Sequence, residues 1–286
     1  MKKIFLLTAV IVSLAGCAQL KTSPAFPTTY DTITIKSEDE TLGLNRPIGS
    51  YEVPNSMYVI GKFKPLETAH KMTGLLGVMA AHSSGKEASQ AFVTGHEGSL
   101  QYSLSEQVLS IARQVIDDNN AQNRFRIGVP ESPDNTLILR PWVYLGTSDA
   151  INARLYVYMR ASLRNVSGSE EWSNVYIYHA PTPHPFTGPR GWLSEDAKLA
   201  KEYADAGIRA ALSVLMNEVE QGRPTARSAR VELDGIVSAM PGTYDATILG
   251  EYNGMTILSP KTATASLMFG SHILPKGHYR VVSASQ

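Results

Sequence analysis

Residues 153–163 read Ala-Arg-Leu-Tyr-Val-Tyr-Met-Arg-Ala-Ser-Leu, and every second side chain in this stretch is apolar. Successive side chains of an extended strand point to opposite faces of the sheet, so the alternation predicts a β-strand with one face in the core. A turn containing Ser-Gly-Ser follows at 165–171, and residues 172–179 return as a second strand. The sequence therefore predicts a β-hairpin within an antiparallel sheet.

Two segments with helical spacing flank this hairpin. In residues 103–119, Ser103 and Glu106 have the spacing of a capping box, and the apolar side chains recur along one stripe. A second apolar stripe runs from Ser194, a candidate N-cap, to the stop signal at Gly222. We expect both amphipathic helices to pack on the apolar face of the sheet.

The sequence pattern changes after Pro224, where helical spacing ends. Short β-prone runs and turns follow, and Asn253-Gly254 is a strong hairpin signal between two of them. The predicted fold class is therefore α+β: an antiparallel sheet with two amphipathic helices on one face, followed by a small all-β C-terminal domain.

Composition excludes several classes of protein. The chain has 286 residues, of which 43% are hydrophobic and 18% charged, so it is neither disordered nor an integral membrane bundle. Its 26 basic and 26 acidic residues balance, which gives no general attraction to nucleic acid. One cysteine allows neither an intramolecular disulfide framework nor a multi-cysteine zinc site, and we predict no cofactor.

The single cysteine lies at the end of a leader-like segment. Lys2 and Lys3 precede an apolar stretch at 4–15, which is too short for a bilayer that needs roughly 20 residues. This pattern is typical of a secretory signal peptide. The segment ends Leu14-Ala15-Gly16-Cys17, which resembles the lipobox of bacterial lipoproteins without a mismatch.

The resemblance implies that Cys17 receives a diacylglycerol thioether, that cleavage precedes it, and that its new amino group is acylated. In that family an Asp after the cysteine retains the protein at the inner membrane, so Ala18 implies the outer membrane of a Gram-negative cell. Removal of residues 1–16 would leave 24 basic and 26 acidic residues. No polybasic patch assists the anchor, so lipid alone would hold the chain.

These signals predict four segments. They are a signal peptide at 1–16, a lipidated N-terminus and tether at 17–56, an α+β domain at 57–224 and a small β-domain at 225–286. Two features keep two interpretations each. Residues 30–35 form either an edge strand or an extended linker, and the small apolar run 74–81 is either a short buried helix or loop, or a surface for a partner or a bilayer.

The element order over about residues 55–222 resembles, at the level of fold only, the periplasmic domains of lipopolysaccharide-assembly and curli-secretion accessory lipoproteins. No motif residue beyond Cys17 carries over from that resemblance. Fold analogy is weak evidence for function, so functional residues must be sought on the chain itself.

The polar face of the hairpin is the main candidate ligand or partner surface. Arginine and aromatic side chains are enriched at recognition surfaces and suit glycan, peptide or protein contacts. The candidate residues are Arg154, Tyr156, Tyr158, Arg160, Arg164, Trp172, Tyr176 and Tyr178. The alternative is a solvated face, or one covered by the tether or by the C-terminal domain.

Two histidines are the best catalytic or metal-binding candidates. His179 and His184 flank a proline-rich loop, and Glu195 and Asp196 follow at the start of a helix. Two imidazoles and a carboxylate can bind zinc, although this spacing matches no common ligand pattern. The alternative is a rigid connection to the long helix, with the acids interacting with the helix dipole.

The favoured functional hypothesis is a non-enzymatic outer-membrane lipoprotein that faces the periplasm. It would act as an accessory or scaffold in envelope assembly, secretion or transport, with envelope proteins as partners and no nucleic acid. A lipid-anchored periplasmic hydrolase using His179 or His184 is one alternative, and a glycan- or peptide-binding module is the other. The oligomeric state stays open.

Overall fold

A computed structural model describes residues 20–27, 30–40, 47, 49–62, 75–128, 135–147, 151–165, 167–223, 226–233, 242–263 and 266–284. The predicted signal peptide and Cys17 lie outside these residues. The side chains of the small apolar run at 74–81 lie outside them too, although the backbone from Leu75 is helical. Within this part of the chain, no helix is long and apolar enough to cross a bilayer.

The described residues form thirteen strands in one sheet, together with three α-helices. The helices are α1 (Leu75–Ala91), α2 (Leu104–Asp118) and α3 (Ser194–Gln221), and a short 3-10 helix spans Glu97–Leu100. The strands are β1 (Ile33–Ser37), β2 (Tyr51–Glu52), β3 (Tyr58–Lys62), β4 (Phe125–Ile127), β5 (Thr136–Thr147), β6 (Asn152–Arg164), β7 (Glu170–His179), β8 (His184–Pro185), β9 (Arg227–Leu233), β10 (Gly242–Tyr252), β11 (Met255–Pro260), β12 (Ser271–Pro275) and β13 (Tyr279–Ala284).

The predicted fold class is wrong, because the sheet is mixed and far larger than expected. Its main order is β13-β9-β10-β11-β12-β7-β6-β5-β1-β4. Strand β12 pairs in parallel with β7, so hydrogen bonds join the C-terminal strands to the hairpin sheet. The alternation of side chains indicates that a segment is a strand, but it does not indicate which distant strand pairs with it. The pairing of β12 with β7 was therefore not predicted from the sequence. The domain boundary at 224/225 stays a prediction.

Strand β5 divides one of its edges between two parallel partners. Its first half pairs with β1 and its second half with β3, while β6 pairs antiparallel along the other edge. The Leu139 carbonyl accepts from Glu38 and the Val143 amide donates to Met57, so both residues point to the shared edge. Pro141 lies between them and has no N–H to donate, which suits the gap between the two partner strands. The segment 30–35, for which an edge strand and an extended linker were both open, overlaps β1. It is therefore part of a strand, but β1 lies inside the sheet between β4 and β5 rather than at an edge.

Two hydrophobic cores lie on opposite faces of β6. On one face, Leu155 and Val157 belong to a core that includes the apolar stripes of α2 and α3. On the other face, Tyr156 and Tyr158 belong to a second core with residues of the C-terminal strands, such as Val231. The helices therefore cover one side of the hairpin and the C-terminal strands cover the other.

Of the two predicted N-caps, the structure confirms Ser103 at α2 but not Ser194 at α3. Ser103 accepts a hydrogen bond from the Glu106 amide at 3.2 Å, so it caps α2 as predicted. Ser194 instead donates to the Gly188 carbonyl, and the next three residues have positive φ values of 51°, 57° and 56°. Right-handed helical geometry in α3 begins after Ala197, so the cap predicted at Ser194 is wrong.

Gly207 allows α3 to lie directly on the hairpin. A Cβ atom at this position would lie 2.4 Å from Cγ2 of Val157 and 2.7 Å from Cδ1 of Tyr178. We expect Gly207→Ala to destabilise the protein, because the overpacking cost of roughly 1–3 kcal/mol exceeds the helix-propensity gain of about 1 kcal/mol. Denaturant unfolding measures the change, with Gly98→Ala as the control because a Cβ there meets nothing within 4 Å. Equal stability of the two variants would contradict close packing at Gly207.

Candidate functional site

The eight residues of the predicted recognition face do not share one face. In the β6–β7 ladder, Val157 lies opposite Tyr178 and Met159 lies opposite Tyr176. Directly paired residues of neighbouring strands project to the same side, so these two tyrosines lie with the apolar residues of β6. Trp172 is paired with Leu163 and lies in the same core. The structure therefore separates the three β7 aromatics from the arginines and tyrosines of β6.

The tyrosines of β6 are covered rather than exposed. Tyr156 and Tyr158 are each 2% exposed and pack in the second core. Both residues therefore fit the alternative prediction, in which the C-terminal segment covers this face of the sheet. Burial raises the pKa of Tyr158 well above its usual value, with smaller contributions from Tyr144 and Tyr156, so its hydroxyl stays protonated at neutral pH.

The arginines of β6 remain half-buried at the margins of this core. Nη1 of Arg154 lies 2.8 Å from Nδ1 of His278. Arg160 lies directly opposite Arg140 of β5, an arrangement that destabilises a sheet unless the charges are balanced. Glu40 accepts from Nε of Arg160 at 3.1 Å, and Glu38 accepts from Arg140 at 2.5 Å.

These two acids belong to the run Lys-Ser-Glu-Asp-Glu at 36–40, whose composition alone favours a solvated segment. Glu38 and Glu40 are the counter-charges of the paired arginines, and the Glu40 side chain is only 11% exposed. Arg164 lies half-buried near the end of the β6–β7 ladder, opposite Glu170.

A cavity of about 430 Å³ lies at the margin where Arg160 is found. Its aromatic part contains Trp142 and Tyr158, whose rings are stacked with centroids 4.1 Å apart and planes 14° apart. Leu267 and Phe269 add apolar surface, and the remaining lining residues are Lys21, Thr22, Pro24, Glu40, Arg160, Ser173, Asn174, Val175 and Ser266. The volume and the mixed lining are typical of small-molecule sites, which span roughly 300–1,000 Å³.

One wall of the cavity comes from the N-terminal segment 20–27, here called the strap. Lys21 exchanges backbone hydrogen bonds of 2.8 and 3.0 Å with Thr262. The Ser23 amide donates to Oγ of Ser259 at 2.8 Å. Phe26 meets Trp172 edge to face with ring centroids 4.8 Å apart. The strap is therefore a docked part of the fold.

Glu218 of α3 is the buried centre that holds the strap. Its carboxylate accepts from the Phe26 amide at 3.0 Å, from the Tyr176 hydroxyl at 2.9 Å and from Nε of Arg223 at 2.6 Å. Arg223 also donates to the Ser23 carbonyl at 2.6 Å. Burial and then the charge of Glu218 raise the pKa of Tyr176, so its hydroxyl remains a donor.

Docking of the strap limits how far the body can lie from Cys17. Only residues 18–20 separate Cys17 from Lys21. An extended chain spans at most about 3.6 Å per residue, so the two Cα atoms cannot be more than about 14 Å apart.

His179 and His272 form a fully buried pair. Nε2 of His272 lies 2.9 Å from the Met268 carbonyl, which can only accept, so this nitrogen carries the proton. Nδ1 of His272 must then accept from Nε2 of His179 at 2.9 Å. Nδ1 of His179 is left as a lone pair, with no hydrogen-bond partner among the described residues. The two rings form a polarised chain that ends in a buried, unprotonated nitrogen.

The structure does not place His179 and His184 in a common contact. His179 is 1% exposed and bonded to His272, whereas His184 contacts Thr182 at 3.1 Å and the edge of Trp192. Asp196 forms an ion pair with Lys201 at 2.9 Å. Across the described ranges, no group of three or more His, Cys, Asp or Glu side chains is arranged to hold a metal ion.

Sequence reasoning missed the residues that matter most to this site. Trp142 and Glu40 come from distant segments and line the same cavity as Arg160 only in the folded protein. Glu218 did carry a signal, because it is a carboxylate three residues after Leu215 and seven after Ala211, on the buried stripe of α3. A buried acid in an apolar stripe indicates a polar partner arriving from elsewhere.

Comparison with known proteins finds no match to a family model and no match to a curated protein. The function must therefore be inferred from the residues of this chain.

The strap should detach when its buried centre is removed. We expect Glu218→Ala to cost about 3–5 kcal/mol of folding stability, because it leaves Arg223 without its buried counter-charge and two further donors without an acceptor. Tryptic cleavage after Lys21 should accelerate at the same time. Glu220→Ala, at an exposed position of the same helix, is the control. Equal cleavage of the two variants would show that Glu218 does not hold the strap.

The histidine pair should make stability depend on pH. Burial lowers the pKa of His272 to about 4, against an opposing effect of the Met268 carbonyl; burial and then His272, Arg154 and His278 lower that of His179 well below its usual range. The unfolded chain takes up protons near pH 6.5 and the folded chain does not, so the free energy of unfolding falls as pH drops from about 6.5 to 4.

At pH 5 the loss from His272 alone is about 2 kcal/mol. Denaturant unfolding at pH 7.5 and at pH 5 measures it. His179→Phe should lower stability at pH 7.5 and reduce the further loss at pH 5. A variant that kept the full wild-type loss would exclude His179 as one of the titrating groups.

Proposed function

We propose that the protein is a lipid-anchored lipoprotein of the outer membrane that faces the periplasm and serves as a non-enzymatic accessory or scaffold in envelope assembly, secretion or transport. The observation that carries this proposal is the docked strap, which begins three residues after the lipobox cysteine. A flexible tether would let the body move away from the membrane. With Cys17 lipidated, the strap would instead keep the body close to its anchor.

This arrangement suits a scaffold because it limits the distance between the body and the bilayer. The Lys21–Thr262 bridge defines the end of the molecule nearest the anchor. Partner proteins would then meet the remaining surfaces within a limited distance of the membrane.

Strand β13 is the candidate surface for an envelope partner. It lies at one end of the main strand order, and it pairs only with β9 among the described strands. Val281 and Val282 are 40% and 52% exposed on it. An open strand edge with apolar side chains can accept a strand of another chain.

A ligand-binding module is the second candidate function, and the cavity favours it. Stacked aromatic rings beside a guanidinium suit recognition of a small amphipathic molecule. The hydrolase alternative has less support, because His179 is buried and bonded to His272. His184 lies 3.1 Å from the Thr182 hydroxyl, but neither histidine lines the cavity.

The anchor is tested by fractionation of cells that express the precursor. We expect wild-type protein in the outer membrane, Ala18→Asp in the inner membrane, and Cys17→Ser without incorporation of a labelled fatty acid. Ala18→Asp is the matched control, because it changes the sorting residue but keeps the lipidated cysteine. Fatty-acid labelling of Cys17→Ser at the wild-type level would contradict lipidation at this residue.

The accessory role is tested by crosslinking in the native envelope at near-native expression. We expect envelope proteins to be recovered with the wild type and reduced with Val281→Lys, which places a charge on the open edge. Recovery of the bait alone would count against a scaffold.

A further inference from the structure

The cavity beside the strap lies within a limited distance of the anchor proposed above. Lys21, Thr22 and Pro24 of the strap form one of its walls. Since Lys21 lies within about 14 Å of Cys17, a lipidated Cys17 would keep this wall near the head groups, a layer about 5–8 Å thick in each leaflet. Membrane lipids are therefore the molecules at highest local concentration beside the cavity.

The charges on the cavity favour an anion. Its lining contains two cations, Lys21 and Arg160, and one carboxylate, Glu40. Glu40 is engaged by Nε of Arg160. Within the described part of the chain, neither the ammonium of Lys21 nor the terminal nitrogens of Arg160 bond to an acceptor. Ammonium and guanidinium groups are the donors that proteins use for phosphate.

The other side of the cavity is apolar. Leu267 and Phe269 are each partly exposed there, and the stacked rings of Trp142 and Tyr158, which are 5% and 2% exposed, complete the lining. A free phosphate would leave this surface without a contact. A molecule with both a phosphate and a glycerol or acyl portion would cover both parts.

We propose that this cavity binds an anionic phospholipid, with the phosphate between Lys21 and Arg160 and the glycerol and first acyl carbons on Trp142, Leu267 and Phe269. The proposal depends on the lipid anchor for the presence of the ligand, and it deepens the proposed function by naming the ligand class. Lipid binding at this site would hold the folded body against the membrane next to its own anchor.

The test titrates the chain from residue 17, carrying Cys17→Ser, with monomeric dihexanoyl-phosphatidylglycerol followed by calorimetry. Inorganic phosphate and a neutral chitin trisaccharide are titrated in parallel. We expect saturable binding of the lipid, at least about tenfold weaker binding of inorganic phosphate, and none of the trisaccharide. We expect Lys21→Gln and Arg160→Gln each to weaken lipid binding about tenfold, as expected for the loss of one charge-assisted hydrogen bond.

Arg113→Gln is the matched control, because it removes an exposed cation of α2 that does not line the cavity. Arg160→Gln also removes the partner of Glu40, so Lys21→Gln, whose side chain contributes no described ion pair, decides the test independently. Phosphate binding as tight as lipid binding, trisaccharide binding without lipid binding, or unchanged affinity in Lys21→Gln would each overturn the proposal. This titration uses no anchor, so it can fail while fractionation succeeds, and the reverse.

Discussion

Strand β6 is buried on both faces, and the rest of the molecule is arranged around that constraint. Its polar backbone groups are satisfied by β5 on one edge and mainly by β7 on the other. Its apolar side chains require the helices, and its tyrosines require a second apolar layer. The C-terminal strands provide that layer, and they can do so because β12 joins the sheet beside β7.

The two faces of β6 have different consequences for function. The helix-side core is one continuous apolar cluster. The opposite core ends at Arg160, which is paired with Arg140 of β5. Glu38 and Glu40 form ion pairs with these two arginines. Here the strap meets the sheet, and the cavity forms between them. The candidate site is thus a product of incomplete coverage of one face.

Part of this arrangement could be predicted from the sequence, and the limits have physical causes. The alternation at 153–163 identified β6, and the capping box at Ser103 identified the start of α2, because both signals are local. The faces of β7 relative to β6 were assigned wrongly, because the ladder shifts register between Leu163 and Arg164. A shift of one residue reverses which side chains meet the core.

The sequence by itself determined the candidate anchor at Cys17, the hairpin strands, the amphipathic helices and the absence of a large net charge. These properties depend on residue identity and on spacing within a few residues. Only the tertiary structure decided that the C-terminal strands join the same sheet, that the β6 tyrosines are buried, and that Glu218 holds the strap. Each of these results depends on pairing between residues far apart in the chain, and local periodicity carries no information about such partners.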